Sequence, residues 1–397
     1  MMKLPTQIKK LNLFLETKLF NFDLLLSLRG LACLCVILFH ITVRPSKVNQ
    51  HPWLLWPFYV DATAAVWIFF ILSGYLMTKL FATKKYNWTL QGLKKYYLAR
   101  IVRIVPLYWF VVFIGSVLAH PELIKIPELP KLLSIFTFSQ YLFTKNDFVY
   151  ADVTWISQAW SLVAEVQYYL VAPVIAFLML KAKPIAVYIV TLLLIYSLTE
   201  ASVLGRFIDL NDLKFFRSVL PQLGFFFGGS LVVVILKNIQ LKTTLRKFVF
   251  LLPVFVITLF IIPVIDKFQP IFLEQSIKAY FIIINTTLVI ALFESFNYTN
   301  KPAVWDFSQS SLLNPQKYLE KLGHLSFGIY LWHLLVINSF LSSWDYSQAQ
   351  YLPFKLGQNA FVAFRFMVIL AVTFVISYIT FHTIEQFGKK RNLPVPD

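Results

Sequence analysis

The residues of this chain that could do chemistry are polar groups set inside long apolar runs. Arg29 and His40 stand eleven residues apart in RGLACLCVILFH. Eleven helical steps of about 100° return to within about 20° of the starting direction, so the two share a helix face about 16 Å apart along the axis. A neutral imidazole, with an unperturbed pKa of about 6.5, can take the proton of an attacking hydroxyl at neutral pH. The plainer alternatives are an arginine that snorkels or pairs with a carboxylate and a histidine that bonds a neighbouring helix. Arg100 and Arg103 lie one turn apart in LARIVRIVPLYW, at the entrance to a later apolar run. Paired guanidinium forks suit phosphate, whereas the lysines around them need only anchor the chain. Glu165, in WSLVAEVQYYLVAP with Gln167 and Tyr168 beside it, is a carboxylate that needs a partner. Ser73 and Gly74 in FFILSGYL allow close backbone approach or a broken helix, and LSFGIYLWH puts Tyr330 and His333 near the middle of another run.

The elements that must position these groups follow from composition. Of 397 residues, 58% are hydrophobic and 14% charged, against about 25% charged in soluble proteins. That much apolar surface needs lipid. Ten stretches are long enough, near 22–42, 57–81, 104–119, 160–180, 184–200, 218–236, 248–265, 277–296, 324–343 and 361–384. They are continuous rather than alternating, which excludes barrel strands and leaves helices as the elements that satisfy every backbone group in lipid. The expected fold is all-α, a polytopic integral membrane protein of about ten transmembrane helices. Its parts are a cytoplasmic segment 1–21, a membrane domain 22–384 and a cytoplasmic tail 385–397. Residues 1–21 are too long and too lysine-rich for a signal-peptide n-region and lack a small-residue cleavage site.

The net charge of +17 is distributed along this topology rather than gathered for nucleic acid. With the N-terminus inside, cytoplasmic segments hold 22 of the 36 Lys and Arg, outer loops hold 10, and Arg29, Lys79, Lys278 and Arg365 fall within spans. This asymmetry places both termini in the cytoplasm. Cys33 and Cys35 are two residues apart on one helix and diverge by about 200°, so they cannot pair. The six histidines show no i, i+4 pair and there is no cysteine cluster, which argues against a metal site. The longest non-spanning stretch, about 120–159, is amphipathic around Leu132–Phe143 and ends in Trp155 and Trp160. It suits the outer interface, either as a lid over an outward cavity or as a structural loop.

Taken in order, Arg29-x10-His40 after LSLRG, FFILSGY, ARIVRIVPLY, WSLVAEVQYYL, LSFGIYLWH and TIEQF resemble the membrane acyltransferase-3 family over residues 24–388. The resemblance implies transfer of an acyl group, usually acetyl, from cytoplasmic acyl-CoA to a hydroxyl of an extracytoplasmic glycan or lipid-linked sugar. It implies that Arg29 and His40 are essential, with His40 catalytic, and that Arg100 and Arg103 help bind the donor. Leu26 replaces the acidic residue common before the family's LRG, Trp67 an aspartate, Ala65 a glycine and Gln386 a proline.

On this reading the catalytic candidates are His40, Arg29 and Glu165, the last to orient the His40 ring or stabilise its protonated form. The donor-contacting candidates are Arg100, Arg103, Ser73, Tyr330 and His333. Acyl-CoA is a substrate, and no permanently bound cofactor is expected; the partners are the donor, the glycan or lipid-linked acceptor and the bilayer, without nucleic acid. An acyl-histidine intermediate is an alternative to general-base catalysis. Buried Arg, His and Glu with the Gly-interrupted stretch Gln222–Gly229 would also suit a proton-coupled transporter or a lipid-linked sugar flippase. No repeat relates the two halves.

Overall fold

The computed structural model of the protein describes residues 23–42, 62–119, 121–140, 156–208, 219–238, 271–297, 315–340 and 358–386. Among the described residues every regular element is helical. The long helices are α1 (Leu24–Thr42), α2 (Ala62–Ala82) and α3 (Leu90–Leu118), then, after a short α4 (Leu129–Phe136), α5 (Ala159–Lys181), α6 (Pro184–Ile208), α7 (Val219–Asn238), α8 (Ile271–Asn297), α9 (Pro315–Leu335) and α10 (Gln358–Thr380). Helices α9 and α10 each run on into a wider π turn, Val336–Phe340 and Phe381–Glu385. Among the described residues, α2, α3, α5, α7 and Ala363–Glu385 are long and apolar enough to cross a membrane. Leu24–His40, Pro184–Glu200 and Ser276–Ala291 form shorter apolar helices. The expected span 248–265, segment 1–21 and most of the tail lie outside the described residues.

One boundary differs in a way that matters. The sequence places the start of the third span at 104, because the preceding segment is rich in lysine. Helix α3 instead begins at Leu90, where the Thr89 hydroxyl accepts a hydrogen bond from the Gly92 N–H at 3.2 Å and caps the helix. Arg100 and Arg103 are therefore not at a helix entrance but about 15 Å into a continuous helix.

Two glycine-on-glycine contacts set the frame. A Cβ on Gly30 of α1 would lie 2.3 Å from the Leu319 carbonyl, and one on Gly323 of α9 would lie 2.0 Å from the Leu26 carbonyl, so the two backbones touch. The Cys33 thiol donates to the Ser326 carbonyl at 3.5 Å, and the Asp23 N–H at the start of α1 donates to Glu320 at 2.6 Å. Three residues on from each glycine the helices still face one another, so α1 and α9 run side by side in the same direction. Helices α2 and α7 repeat the device: a Cβ on Gly74 would lie 2.0 Å from the Phe226 carbonyl, and one on Gly229 would lie 1.8 Å from the Ile71 carbonyl. Beside that contact Thr78 donates to Ser230 at 2.9 Å, and Ser230 donates to the Gly74 carbonyl at 3.1 Å. Small residues that let backbones meet, with hydroxyls bonded across the seam, are the means by which helices associate where lipid offers no hydrophobic drive.

Of the amphipathic segment, the described part forms a short helix packed on α3. Helix α4 is strapped to the end of α3 by the Tyr108 hydroxyl on the Ile135 carbonyl at 3.0 Å and the Trp109 indole N–H on the Phe136 carbonyl at 2.9 Å. Residues 141–155, with Trp155, lie outside the described residues.

The glycine contacts generate a test. Gly323→Ala must drive a methyl into a backbone carbonyl and should cost about 1–3 kcal/mol, read as a lowered Tm in detergent. Gly228→Ala, whose Cβ would meet only the Ile283 methyl at 3.0 Å and the Thr287 methyl at 3.6 Å, should cost clearly less. Equal tolerance of both substitutions would contradict backbone contact between α1 and α9.

Candidate functional site

The site has two levels within one interior, both reached by α1. At one level sit Glu165 and the arginines. The Ser73 hydroxyl, in the middle of α2, donates to Glu165 Oε1 at 2.5 Å, and the Tyr169 hydroxyl, one turn beyond Glu165 on α5, donates to the same oxygen. Arg100 lies against two rings, with its guanidinium carbon 5.6 Å from the Tyr169 centroid and 5.8 Å from that of Tyr96. Arg103 is within electrostatic range of Arg29, Arg100, Tyr169 and Glu165. Two further cations and one carboxylate thus act on Arg103. Arg100 is only 4% exposed, and its three guanidinium nitrogens are buried with no hydrogen-bond partner among the described residues. Arg29, Arg103 and Glu165 are half-buried.

Pro173 explains how the tyrosines come to be there. A proline inside a helix leaves the carbonyl four residues earlier without its N–H partner, and in α5 that carbonyl belongs to Tyr169. The Tyr96 hydroxyl donates to it at 3.2 Å, the neighbouring Tyr97 hydroxyl donates to the Leu170 carbonyl at 2.9 Å, and the Trp88 indole donates to the Pro173 carbonyl at 3.0 Å. The break in α5 thereby docks α3 and turns the Tyr96 and Tyr169 rings toward Arg100.

At the second level are the histidines. Ten residues past Gly30 and ten past Gly323, His40 and His333 reach the same height, with ring centroids 5.0 Å apart and planes tilted by 53°. His40 Nδ1 lies 2.8 Å from the Val36 carbonyl and His333 Nδ1 lies 2.7 Å from the Tyr330 carbonyl. A carbonyl can only accept, so each Nδ1 carries a proton, and in the neutral ring Nε2 carries the lone pair. His333 is fully buried, while His40 is half-buried. Tyr330 joins α9 to α5: its hydroxyl is 2.7 Å from both the Gln158 carbonyl and the Ser161 hydroxyl, and Gln158 Nε2 donates to the Leu331 carbonyl at 3.0 Å.

The structure brings together Arg29, Arg100, Arg103, Ser73 and Glu165, and separately His40, His333 and Tyr330. It does not bring Glu165 to His40; the hydrogen bonds of Glu165 go to the two hydroxyls. The sequence reading singles out Tyr168 beside Glu165, but it is Tyr169 that faces the carboxylate. The i, i+4 spacing of Glu165 and Tyr169 was the available signal; Tyr168 stacks on Phe226 with centroids 4.0 Å apart. Gln158, Ser161 and Tyr96 were missed because their partners are backbone carbonyls or residues distant in sequence. Trp67, standing where an aspartate is common, is buried and stacked on Phe225 at 4.6 Å. A carboxylate oxygen of Glu385 faces Gly328 on α9, where a Cβ would meet it at 3.3 Å.

Apolar helices packed around such an interior define a multi-pass membrane protein. A family model described as an acyltransferase domain matches residues 25–382, and the chain belongs to that family, membrane acyltransferase-3. Among curated proteins it is 32% identical over 162 residues to the peptidoglycan O-acetyltransferase OatA of Listeria monocytogenes, covering 39% of this chain and 24% of that protein. It is 26% identical over 333 residues to the O-acetyltransferase OatA of Staphylococcus aureus, 79% of this chain and 50% of that protein. It is 24% identical over 328 residues to the putative peptidoglycan O-acetyltransferase YrhL of Bacillus subtilis, 78% and 48%. The chain thus spans at most about half the length of these relatives. No solved structure matches it.

Glu165 accepts hydrogen bonds from Ser73 and Tyr169 and acts electrostatically on Arg103. Glu165→Gln keeps the volume but removes the charge and should destabilise by about 1.5–3 kcal/mol, the range for hydrogen bonds to an ionised group. Tyr169→Phe should cost less in that background than in the wild type, since its acceptor is already weakened. Strictly additive losses in thermal unfolding would show that the two groups are uncoupled.

Proposed function

We propose that the protein is a membrane O-acetyltransferase that moves an acetyl group from cytoplasmic acetyl-CoA to a hydroxyl of an extracytoplasmic glycan. Peptidoglycan is the acceptor that the names of its relatives favour. The observation that carries this reading is the placement of two unlike groups along α1. Arg29 belongs to an arginine cluster, and His40, about 16 Å further on, lies against His333. The cluster supplies what the anionic end of the donor needs: three cations against one carboxylate, and a buried guanidinium with hydrogen-bond donors to give. The extended pantetheine arm of coenzyme A can span the distance to the histidine level. The excess of lysine and arginine on one set of loops puts the start of α1 in the cytoplasm and His40 toward the far side.

At the histidine level the chemistry is acyl transfer with a general base. His40 Nε2 takes the proton of the acceptor hydroxyl as its oxygen attacks the thioester carbonyl. The tetrahedral adduct collapses with cleavage of the carbon–sulfur bond, and the departing thiolate recovers the proton from His40. The Val36 carbonyl holds the ring in the tautomer this requires.

Replacement of His40 by Ala should lower kcat by about 10²-fold or more while leaving detergent stability near that of the wild type. The double variant Arg100→Ala, Arg103→Ala should raise the apparent KM for acetyl-CoA, because phosphate contacts made equally in ground and transition states act as uniform binding. Lysine at both positions should restore part of it, since the forked geometry is lost. Substantial activity in His40→Ala would overturn the assignment of the base, and unchanged donor affinity in the double variant would make the arginines structural.

A further inference from the structure

We propose that α6, α7 and α8 bind a phospholipid with an amine headgroup, its hydrocarbon chain in a furrow between the three helices and its ammonium on Glu200. None of the residues assigned above to the donor or the base lies on these helices. The furrow has a volume of about 250 Å³ and is walled entirely by uncharged residues. Ile195, Val232 and Ile283 are buried at its base, while Leu192, Tyr196 and Ile284 are exposed along its rim. Gly228 contributes no side chain to the wall; a Cβ there would meet the Ile283 and Thr287 methyls at 3.0 and 3.6 Å. From Gly228 to Ile235 on α7, and from Tyr280 to Thr287 on α8, the opening runs along the helices for about 10 Å. In a chain that spans a membrane, an apolar opening of this kind faces hydrocarbon.

One end of the furrow leads to a carboxylate without a counter-charge. The hydroxyl of Tyr280, on the furrow wall, donates to Glu200 Oε1 at 2.7 Å, and Ser276 donates to Oε2 at 3.1 Å. Among the described residues Glu200 meets these hydroxyls and no cation. Lys278, two residues from each of them, is turned about 200° away around α8. A carboxylate in a membrane-spanning helix calls for an opposite charge, and two neutral hydroxyls leave about half of its acceptor sites open. Its depth suits a headgroup. Lys181 and Lys183 flank the start of α6, and Glu200 lies about 24 Å along the helix from Pro184, near the far boundary of a core about 30 Å thick. Tyr196 and Tyr280 stand beside it with ring planes within 10°, aromatic groups of the kind that favour this level. An anionic headgroup would bring like charge to Glu200, whereas an ammonium has the hydrogen-bond donors that its open sites accept.

Native mass spectrometry of the full chain, purified in mild detergent, tests both halves of the site. The probe is an equimolar mixture of phosphatidylethanolamine and phosphatidylglycerol with identical chains. The wild type should retain one phospholipid per chain and prefer phosphatidylethanolamine by about tenfold or more, the ratio expected for a hydrogen-bonded charge. In Glu200→Gln the volume and one acceptor oxygen are kept and the charge is lost, so the preference should fall to within about threefold. Gly228→Leu fills the furrow and should lower retention of both lipids together; if it does not fold, Ile284→Trp on the exposed rim takes its place. Phosphatidylethanolamine should also raise the Tm of the wild type and not that of Glu200→Gln. Equal retention of the two lipids by the wild type, or an unchanged preference in Glu200→Gln, would overturn the assignment of the headgroup to Glu200. Undiminished retention in a folded furrow variant would place the chain elsewhere, and retention of neither lipid by the wild type would show that the furrow is not a lipid site.

Discussion

The contact on which the arrangement depends is the meeting of two backbones at Gly30 and Gly323. Lipid gives helices little reason to associate through apolar side chains, so an interface in a membrane protein must be made by close approach and hydrogen bonding. At these two glycines a side chain would collide with a carbonyl of the opposing helix. Because α1 and α9 run in the same direction, the register set there is carried ten residues along both helices, where it delivers His40 and His333 to one height. The α2–α7 contact at Gly74 and Gly229 does the same for the other level, holding Ser73 where it can donate to Glu165.

The polar interior is organised by a second constraint, that backbone groups freed by an irregularity must find partners within the protein. Pro173 interrupts α5 and the tyrosines of α3 answer the exposed carbonyls, which brings α3 close enough for Arg100 and Arg103 to join Arg29 and Glu165. An arginine cluster with one carboxylate is unfavourable on its own, since buried like charges repel and desolvation is only partly offset. A bound anion would offset that cost. The separation of this cluster from the histidines along one helix then suits a donor that is charged at one end and reactive at the other.

Much of this was legible in the sequence. The continuous apolar runs identified helices in lipid, and Arg29 and His40 could be placed on one face from spacing alone. What remained hidden has identifiable physical causes. The span near 104–119 marks only the apolar part of α3, because hydropathy registers Lys94 and Lys95 but not the Thr89 cap that begins the helix before them. Glu165 was assigned to His40 as the most evident intramembrane carboxylate, whereas pairing is decided by which helices touch, and the hydroxyls that reach Glu165 come from Ser73 on α2 and Tyr169 on α5 itself. His333 could be singled out by type, yet its position beside His40 follows from an equal ten-residue offset on two helices almost three hundred residues apart. Spacing within one helix was readable; register between helices was not.

The central claim is that donor and acceptor meet the protein on opposite sides, with the acetyl group passing through the interior between the arginine and histidine levels. Sealed inverted membrane vesicles, which present the cytoplasmic face outward, test it most directly. Acetyl-CoA added outside should support acetylation only of glycan acceptor trapped in the lumen. Equal acetylation of acceptor supplied on the same side as the donor, without leakage or detergent, would contradict the account.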